Sequence, residues 1–332
     1  MLTQIVTSLR VGVLGAARIA PAALIKPARS IDTVSIAAIA ARDPLRAHAF
    51  ARKHRIPRVH ATYADLIADP ELDAIYNPLP NGLHAEWTLA ALAAGKHVLC
   101  EKPFTANAAQ AATVAQAAGD AVVMEAFHYR YHPMAARMAE IVHSGEIGDI
   151  ESVQTAMCFP LPKFSDIRYS YALAGGALMD AGCYALHCLR LLGPGEPTVT
   201  DARALTLRSD PRVDRAMVVE LSFPNGATGR AQTSMWSSTL LRISATVKGS
   251  RGSLAVTNFV APQFPHRFTV TVGDRKRHER FSRTPTYTYQ LAAFAAAVGG
   301  AREANLTPPE DSIATMKLID ASYWAAGLPP RG

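Results

Sequence analysis

The sequence has four cysteines, Cys100, Cys158, Cys183 and Cys188, and no C-x-x-C pair among them. That scatter excludes a disulfide framework and a zinc knuckle, and it suits a reducing compartment. No apolar run approaches the roughly 18 residues needed to span a bilayer. Residues 1–10 lack a basic stretch followed by an apolar core, the mark of a signal peptide. A cytoplasmic protein with no membrane partner is expected, and the sequon Asn305-Leu306-Thr307 reads as a chance match. Charged residues are also few, at 18%, below the usual figure of about a quarter. This argues against a coiled coil or a solvated scaffold. There are no internal repeats and no low-complexity linker.

What is present is enough apolar material for a large core. Of 332 residues, 49% are hydrophobic, and a domain of about 150 residues is typical, so two domains are expected. Lysine and arginine number 34 against 27 acidic residues, a net charge of +7. Nucleic acid, an anionic membrane surface and an anionic small ligand all suit such a surplus. Composition does not choose among them.

Along the first third, short apolar strands alternate with helices. Strands are predicted at 10–14, 34–41, 59–60, 74–77, 97–100 and 122–125, and helices at 44–54, 63–68, 84–94 and 106–118. The nearly unbroken apolar run Val34 to Ala41 is what a parallel strand covered on both faces requires. Gly95 is placed as a left-handed helix stop. This rhythm predicts a doubly wound parallel sheet. After residue 127 it changes: helices at 134–144, 176–192, 287–298 and 309–326 flank strand candidates at 151–158, 198–207, 215–223, 227–236, 242–248 and 268–272. Asn225-Gly226 is a strong hairpin signal between two of them. The fold class is therefore α/β: a parallel-sheet domain over 1–127, then an α+β domain over 128–332 with a mostly antiparallel open sheet.

Gly15-x-Ala17-x-x-Ala20 follows the first strand and opens a helix, a relaxed dinucleotide fingerprint whose chemistry needs free N–H groups and a helix dipole facing a pyrophosphate. Ala17 adds a methyl group where the backbone should approach the phosphates. At the end of the second strand, Asp43-Pro44 fits a helix N-cap, which removes Asp43 as a ribose ligand and leaves Arg42 for a 2′-phosphate. Lys102, in Glu101-Lys102-Pro103, lies at the carboxyl end of the fifth strand, the edge where ligands sit in such sheets. On a helix, Asp180 and Tyr184 share a face that His187 continues, and Gly182 implies a close neighbour there. A core helix is the plainer alternative, and a metal held by Asp180, Cys183 and His187 lacks a fourth ligand, so no metal is expected. The cluster Phe127-His128-Tyr129-Arg130-Tyr131-His132-Pro133 is too short for a basic stripe, and Arg275-Lys276-Arg277-His278 reads as a solvated hairpin tip. No nucleic-acid partner is expected.

These pieces together resemble the glucose–fructose oxidoreductase / inositol dehydrogenase (Gfo/Idh/MocA) family. The matching segments are Val11 to Gly15, Pro80-Asn81 with His84, Gly95 to Pro103, Gly176 to Tyr184, Thr286 to Leu291 and Ala325 to Pro329. Ala40-Ala41-Arg42-Asp43 and Asp180-x-Gly182-x-Tyr184 suit the branch with dimeric dihydrodiol dehydrogenases and NADP-linked xylose-type dehydrogenases. The resemblance implies a Rossmann domain holding NADP, with NAD as the lesser possibility. It implies cofactor contacts from Gly15, Ala17, Arg18, Ile19, Ala41, Arg42, Pro80, Asn81, His84, Glu101 and Lys102. It places Lys102 and Tyr184 beside the reacting carbon, with Asp180 orienting them or holding a substrate hydroxyl, and implies a cis bond before Pro103. Arg168, Tyr169 and His187 are added as candidate substrate contacts.

The expected activity is hydride transfer between nicotinamide and a hydroxyl-bearing carbon of a sugar, cyclic polyol or dihydrodiol, while the hydroxyl proton leaves. A free phenol, with a pKa near 10, is too weak a base at neutral pH. The ammonium of Lys102 is expected to favour the Tyr184 phenolate, and the two roles stay open to exchange. A non-catalytic NADP-binding sensor and an NAD-dependent redox glycosidase are the rival readings. A homodimer or homotetramer is expected through the second sheet, whose strands offer Met217, Val219 and Leu221 to one face and Val218 and Phe223 to the other.

Overall fold

Alternation along the first strands decides the layers of the amino-terminal half. The computed structural model describes residues 8–332. Strands β1 (Leu9–Leu14), β2 (Val34–Ala40), β3 (Arg58–His60), β4 (Ala74–Asn77), β5 (His97–Cys100) and β6 (Val123–Glu125) form one parallel sheet in the order β3-β2-β1-β4-β5-β6. Val11, Val13, Ile39, Tyr76 and Leu99 point into one core, while Leu14, Ala38, Ile75, Val98 and Cys100 point into the other. Strand order reverses between β1 and β4, so the turns after those strands diverge there and leave a crevice.

The second sheet holds β7 (Ile150–Cys158), β8 (Thr198–Thr206), β9 (Asp214–Ser222), β10 (Thr228–Ser234), β11 (Arg242–Gly249), β12 (Gly252–Thr257), β13 (Arg267–Val272) and β14 (Arg275–Glu279). Their order is β14-β13-β12-β11-β7-β10-β9-β8, antiparallel except where β7 meets β10. One face carries Val153, Met217, Val219, Leu221, Val247 and Leu254 into the core beneath helices Pro133–His143 and Cys183–Leu192.

Two strands were not legible as such. β12 is a short run that starts at Gly252, just after Gly249. β14 is the segment expected to be a solvated hairpin tip; it is instead an edge strand on β13, and its charges suit an edge that must not pair with another chain. The expected apolar outer face is also corrected. A row across the middle of that face reads Arg230, Gln154 and Thr246, Val218 is half-buried, and Phe223 is buried beside Gly193.

The chain crosses between the halves late. Helix Thr286–Val298 returns to the parallel sheet, and its Leu291, Phe294 and Ala297 complete the core formed by Val11, Leu24, Ile25 and Tyr76. Among the described residues, the stretch Tyr171–Leu192 is long and apolar enough to cross a membrane, but 83% of that window is buried inside the protein.

Candidate active site

A cleft of about 1040 Å³ opens at the carboxyl ends of β1, β2, β4 and β5 and is closed from the other side by the second half of the chain. Its floor at one end is the turn after β1. Gly15 has φ +79°, and a Cβ there would meet Leu79 at 3.2 Å as well as being strained. Among the described residues, the backbone N–H groups of Ala16 to Ile19 donate no intramolecular hydrogen bond, while a helix starts just beyond at Pro21. Unspent donors at a helix start suit a pyrophosphate, and Ala17, Arg18 and Ile19 all line the cleft.

Ala41 and Arg42 line the same end. The Asp43 carboxylate accepts from the N–H of Leu45 at 2.9 Å and of Arg46 at 3.3 Å, so it is spent as the cap of helix Pro44–His54. Arg42 remains exposed and free of that acid, and Arg46, one turn later, joins it in the cleft wall. Arg46 was missed in the sequence, though its spacing from Arg42 across a capped helix start was a readable signal.

At the other end, β5 runs into Glu101-Lys102-Pro103, with the Lys102–Pro103 bond cis. His84 fastens this loop, its Nδ1 2.7 Å from the Pro103 carbonyl and its Nε2 2.7 Å from the Leu79 carbonyl. Pro80, Asn81 and His84 all reach the cleft, and the Asn81 amide donates to the Ala174 carbonyl across it. The Tyr76 hydroxyl donates to Glu101 at 2.7 Å.

Asp180 and Tyr184 arrive on a π turn, Leu178–Gly182, that leads into helix Cys183–Leu192. The close approach expected at Gly182 is real: a Cβ there would lie 2.7 Å from Leu178 Cδ1 and 3.2 Å from Thr233 Cγ2. Just upstream, Gly176 has φ +137°, and a Cβ would collide with Asp214. That carboxylate is wholly buried, paired with Arg331 at 2.9 Å, and its other oxygen accepts from the Leu178 N–H at 2.6 Å. A buried ion pair thus holds the start of the helix that carries the site.

Lys102 Nζ donates to the Asp180 carbonyl at 2.9 Å and lies 3.5 Å from its Oδ1. Burial works against the ammonium, but the Asp180 carboxylate, and behind it Glu101, outweigh it and raise the Lys102 pKa. Nζ sits 5.1 Å from the centre of the Tyr184 ring. The Tyr184 hydroxyl lies 3.0 Å from His128 Nε2, and His128 Nδ1 lies 2.7 Å from Thr286 Oγ1. Burial first, then negative neighbours that include Glu101 and Asp180, pushes the Tyr184 phenol well above its ordinary value. Both effects run against the expected phenolate: Lys102 is held by Asp180, and burial favours the neutral phenol.

All eleven expected cofactor contacts line the cleft, as do Arg168, Asp180 and Tyr184. Arg168 is held between Asp166, at 3.0 Å, and Asp180, at 3.7 Å. Two expected substrate contacts are not there. Tyr169 is buried with its hydroxyl on the Leu161 carbonyl. His187 bonds Tyr129 on one side and Asp311, at 3.0 Å, on the other, because the helix turns it into the core. Tyr287 and Phe159 line the cleft without having been expected. Tyr287 lay within a segment quoted above, but nothing in its spacing pointed at the cleft.

Comparison with known proteins agrees with this geometry. Residues 9–128 match the oxidoreductase family with an NAD-binding Rossmann fold, and residues 135–255 match the Gfo/Idh/MocA carboxy-terminal domain. A D-xylose 1-dehydrogenase (NADP(+)) of Haloferax volcanii is 40% identical over 325 residues, covering 95% of this chain and 96% of the relative. A trans-1,2-dihydrobenzene-1,2-diol dehydrogenase of Mus musculus is 34% identical over 233 residues, 68% of each chain. The crystal structure of a 3-ketoreductase from Actinomadura kijaniata in complex with NADP and TDP-benzene is similar, with a TM-score of 0.86 and 28% identity over 96% of this chain and 98% of that one. The phosphate-binding turn, the strand-end lysine and the two-sheet architecture thus have one source: the chain belongs to the Gfo/Idh/MocA family of NAD(P)-dependent oxidoreductases.

Proposed function

We propose that this chain is an NADP-linked dehydrogenase that oxidises a hydroxyl of a sugar, with a pentose-type aldose at its anomeric carbon as the first substrate to test. The observation that carries the reading is the meeting of Lys102, Asp180 and Tyr184 in the same cleft as the Gly15 turn and Arg42. Similarity to the Haloferax relative supports the aldose over a cyclic polyol or a dihydrodiol. When bound, the nicotinamide supplies the hydride acceptor.

The chain's own residues do the rest. Ala16 to Ile19 offer N–H groups to the pyrophosphate, and Arg42 with Arg46 offers guanidinium groups to the 2′-phosphate. Lys102, kept charged by Asp180, donates to the substrate oxygen, and Tyr184 stands beside it as the proton-transfer group. Arg168 and Phe159 line the side where the rest of the sugar lies. The Lys102–Tyr184 pair favours an enzyme over a sensor, which needs the nucleotide alone.

The four buried, unpaired cysteines support a cytoplasmic location. The middle of the open sheet face is polar, but Leu240, Leu241 and Phe264, exposed beside it, support a homodimer or homotetramer. The test is a screen of aldoses, inositols and dihydrodiols with NADP and with NAD, followed at the absorbance of the reduced nicotinamide. Turnover of an aldose with NADP is expected. No reduced cofactor with any of them would sink the reading, and sugar cleavage without it would point to a redox glycosidase.

A further inference from the structure

His128 lies in the aromatic and cationic segment after β6 that the functional reading left unused. It is buried, yet both its ring nitrogens face a hydroxyl: Nε2 that of Tyr184 at 3.0 Å, Nδ1 that of Thr286 at 2.7 Å. Its ring packs on Tyr287, with centres 4.0 Å apart. Two separate segments, one carrying Tyr184 and the other Thr286 and Tyr287, therefore converge on one imidazole behind the reacting phenol.

The arrangement answers a difficulty in the chemistry. A phenol that keeps its own proton has nothing to gain by accepting another, unless it releases the first as it takes the second. We propose that His128 takes the Tyr184 proton as Tyr184 takes the substrate's, a positioning residue that acts through the phenol. This rests on Tyr184 serving as the proton-transfer group of the reading above. In the oxidation direction the substrate O–H bond breaks and a new Tyr184 Oη–H bond forms. The former Oη–H bond breaks and a His128 Nε2–H bond forms, while the hydride leaves the substrate carbon for the nicotinamide. After product leaves, the proton returns through Tyr184 to water in the cleft.

The groups facing His128 fit this use. With Nδ1–H donating to Thr286 Oγ1, Nε2 is left as the acceptor. Tyr184 and Tyr287 carry no charge at neutral pH, and the one cation acting on the ring is the Lys102 ammonium. Burial, and then Lys102, lower His128 to about 3, so the ring is neutral at rest and Nε2 is open to the Tyr184 hydrogen bond, while both causes oppose the imidazolium. The same burial makes the imidazolium a short-lived station.

The test compares His128→Gln, His128→Phe and Tyr184→Phe in the full-length protein. Glutamine can accept the phenol hydrogen bond but cannot take a proton. Both His128 variants should lose kcat by about 10²-fold, with sugar KM and NADP affinity within a few-fold of the parent. Their kcat should rise steeply with pH, because the phenol must then ionise, while the parent varies less. Nitrogen-15 shifts of His128 in the cofactor-free protein should report the Nδ1–H tautomer, and this signature should change in Tyr184→Phe. If His128→Phe does not fold, His128→Gln decides. A His128→Gln enzyme with parental kcat and pH profile, beside an inactive Tyr184→Phe, would overturn the relay and leave the dehydrogenase reading intact. An active Tyr184→Phe would overturn the assignment of Tyr184 itself.

Discussion

At one end of the cleft the charges stand in water; at the other they are enclosed. Arg42 and Arg46 are exposed, so their attraction for an anion is weakened by solvent and by salt. The side chains of Lys102 and Asp180 keep 16% and 13% of their exposure, and the phenol of Tyr184 is buried against His128. The same pairwise attraction grows several-fold as the effective dielectric falls from that of water to that of a protein surface or interior. The exposed end is therefore suited to recognition, where a ligand must come and go. The enclosed end is suited to holding protons on stated atoms, which is what a coupled transfer of hydride and proton needs.

The sharpest way to break the contrast is at the enclosed end. Lys102→Met and Tyr184→Phe should each lower kcat by about 10²–10⁴-fold while leaving NADP affinity within a few-fold, measured by steady-state kinetics and cofactor fluorescence. A variant that lost cofactor affinity instead would move that residue to the recognition end. Next in size is Arg42→Ala, which should weaken NADP binding by about 1.5–3 kcal/mol, roughly ten- to a hundredfold, with kcat preserved. NAD binding should barely change, and equal losses for the two cofactors would contradict a 2′-phosphate role.

A third prediction concerns Glu125, wholly buried at the end of β6 with no ion-pair partner among the described residues. Burial raises its pKa from 4.5 to about 8. The folded protein keeps that proton where the unfolded chain has released it, so the group's stabilising share is complete below pH 4.5 and is lost as pH rises to about 8. Glu125→Gln should therefore melt at a higher temperature relative to the parent at pH 8.5 than at pH 5. The gain accumulates by at most about 1.4 kcal/mol per pH unit across that window. A melting difference independent of pH would show that the carboxyl is charged or paired. The smallest effect is that of salt: raising it to about 0.5 M should increase the KM for NADP a few-fold and leave that for the sugar nearly unchanged.

What could be read from the sequence was what neighbours along the chain decide. The Gly15 turn, the Asp43 cap and the strand-end Lys102 each depend on a few consecutive residues, and each stands where expected. The other site features depend on distant contacts. His128 meets Thr286 across 158 positions, and no local pattern announces that. Tyr169 sits beside Arg168 yet turns into the protein, because the short turn Ile167–Tyr169 gives adjacent residues different sides. His187 continued the helical stripe correctly, but the stripe rotates past the cleft into the core one turn beyond Tyr184. In the second sheet, β14 escaped because its charges mask its strand character, a feature of edges that no alternation rule records.

The return of helix Thr286–Val298 bears on how this protein can be taken apart. A fragment ending near residue 127 would retain every strand of the parallel sheet and the Gly15 turn, and on paper it is a complete nucleotide-binding module. It would lack Leu291, Phe294 and Ala297, all buried, and so expose the side of the sheet around Leu24, Ile25 and Tyr76 to water. Burying a large apolar side chain contributes about 1.5–3 kcal/mol, so the missing helix is worth a sizeable part of a small domain's stability. Such a fragment should be recovered as aggregate, whereas one carrying residues 286–298 on a tether should stay in solution. Grafting this cofactor module onto another catalytic partner would therefore mean transplanting two pieces of chain, separated in sequence by the whole open sheet.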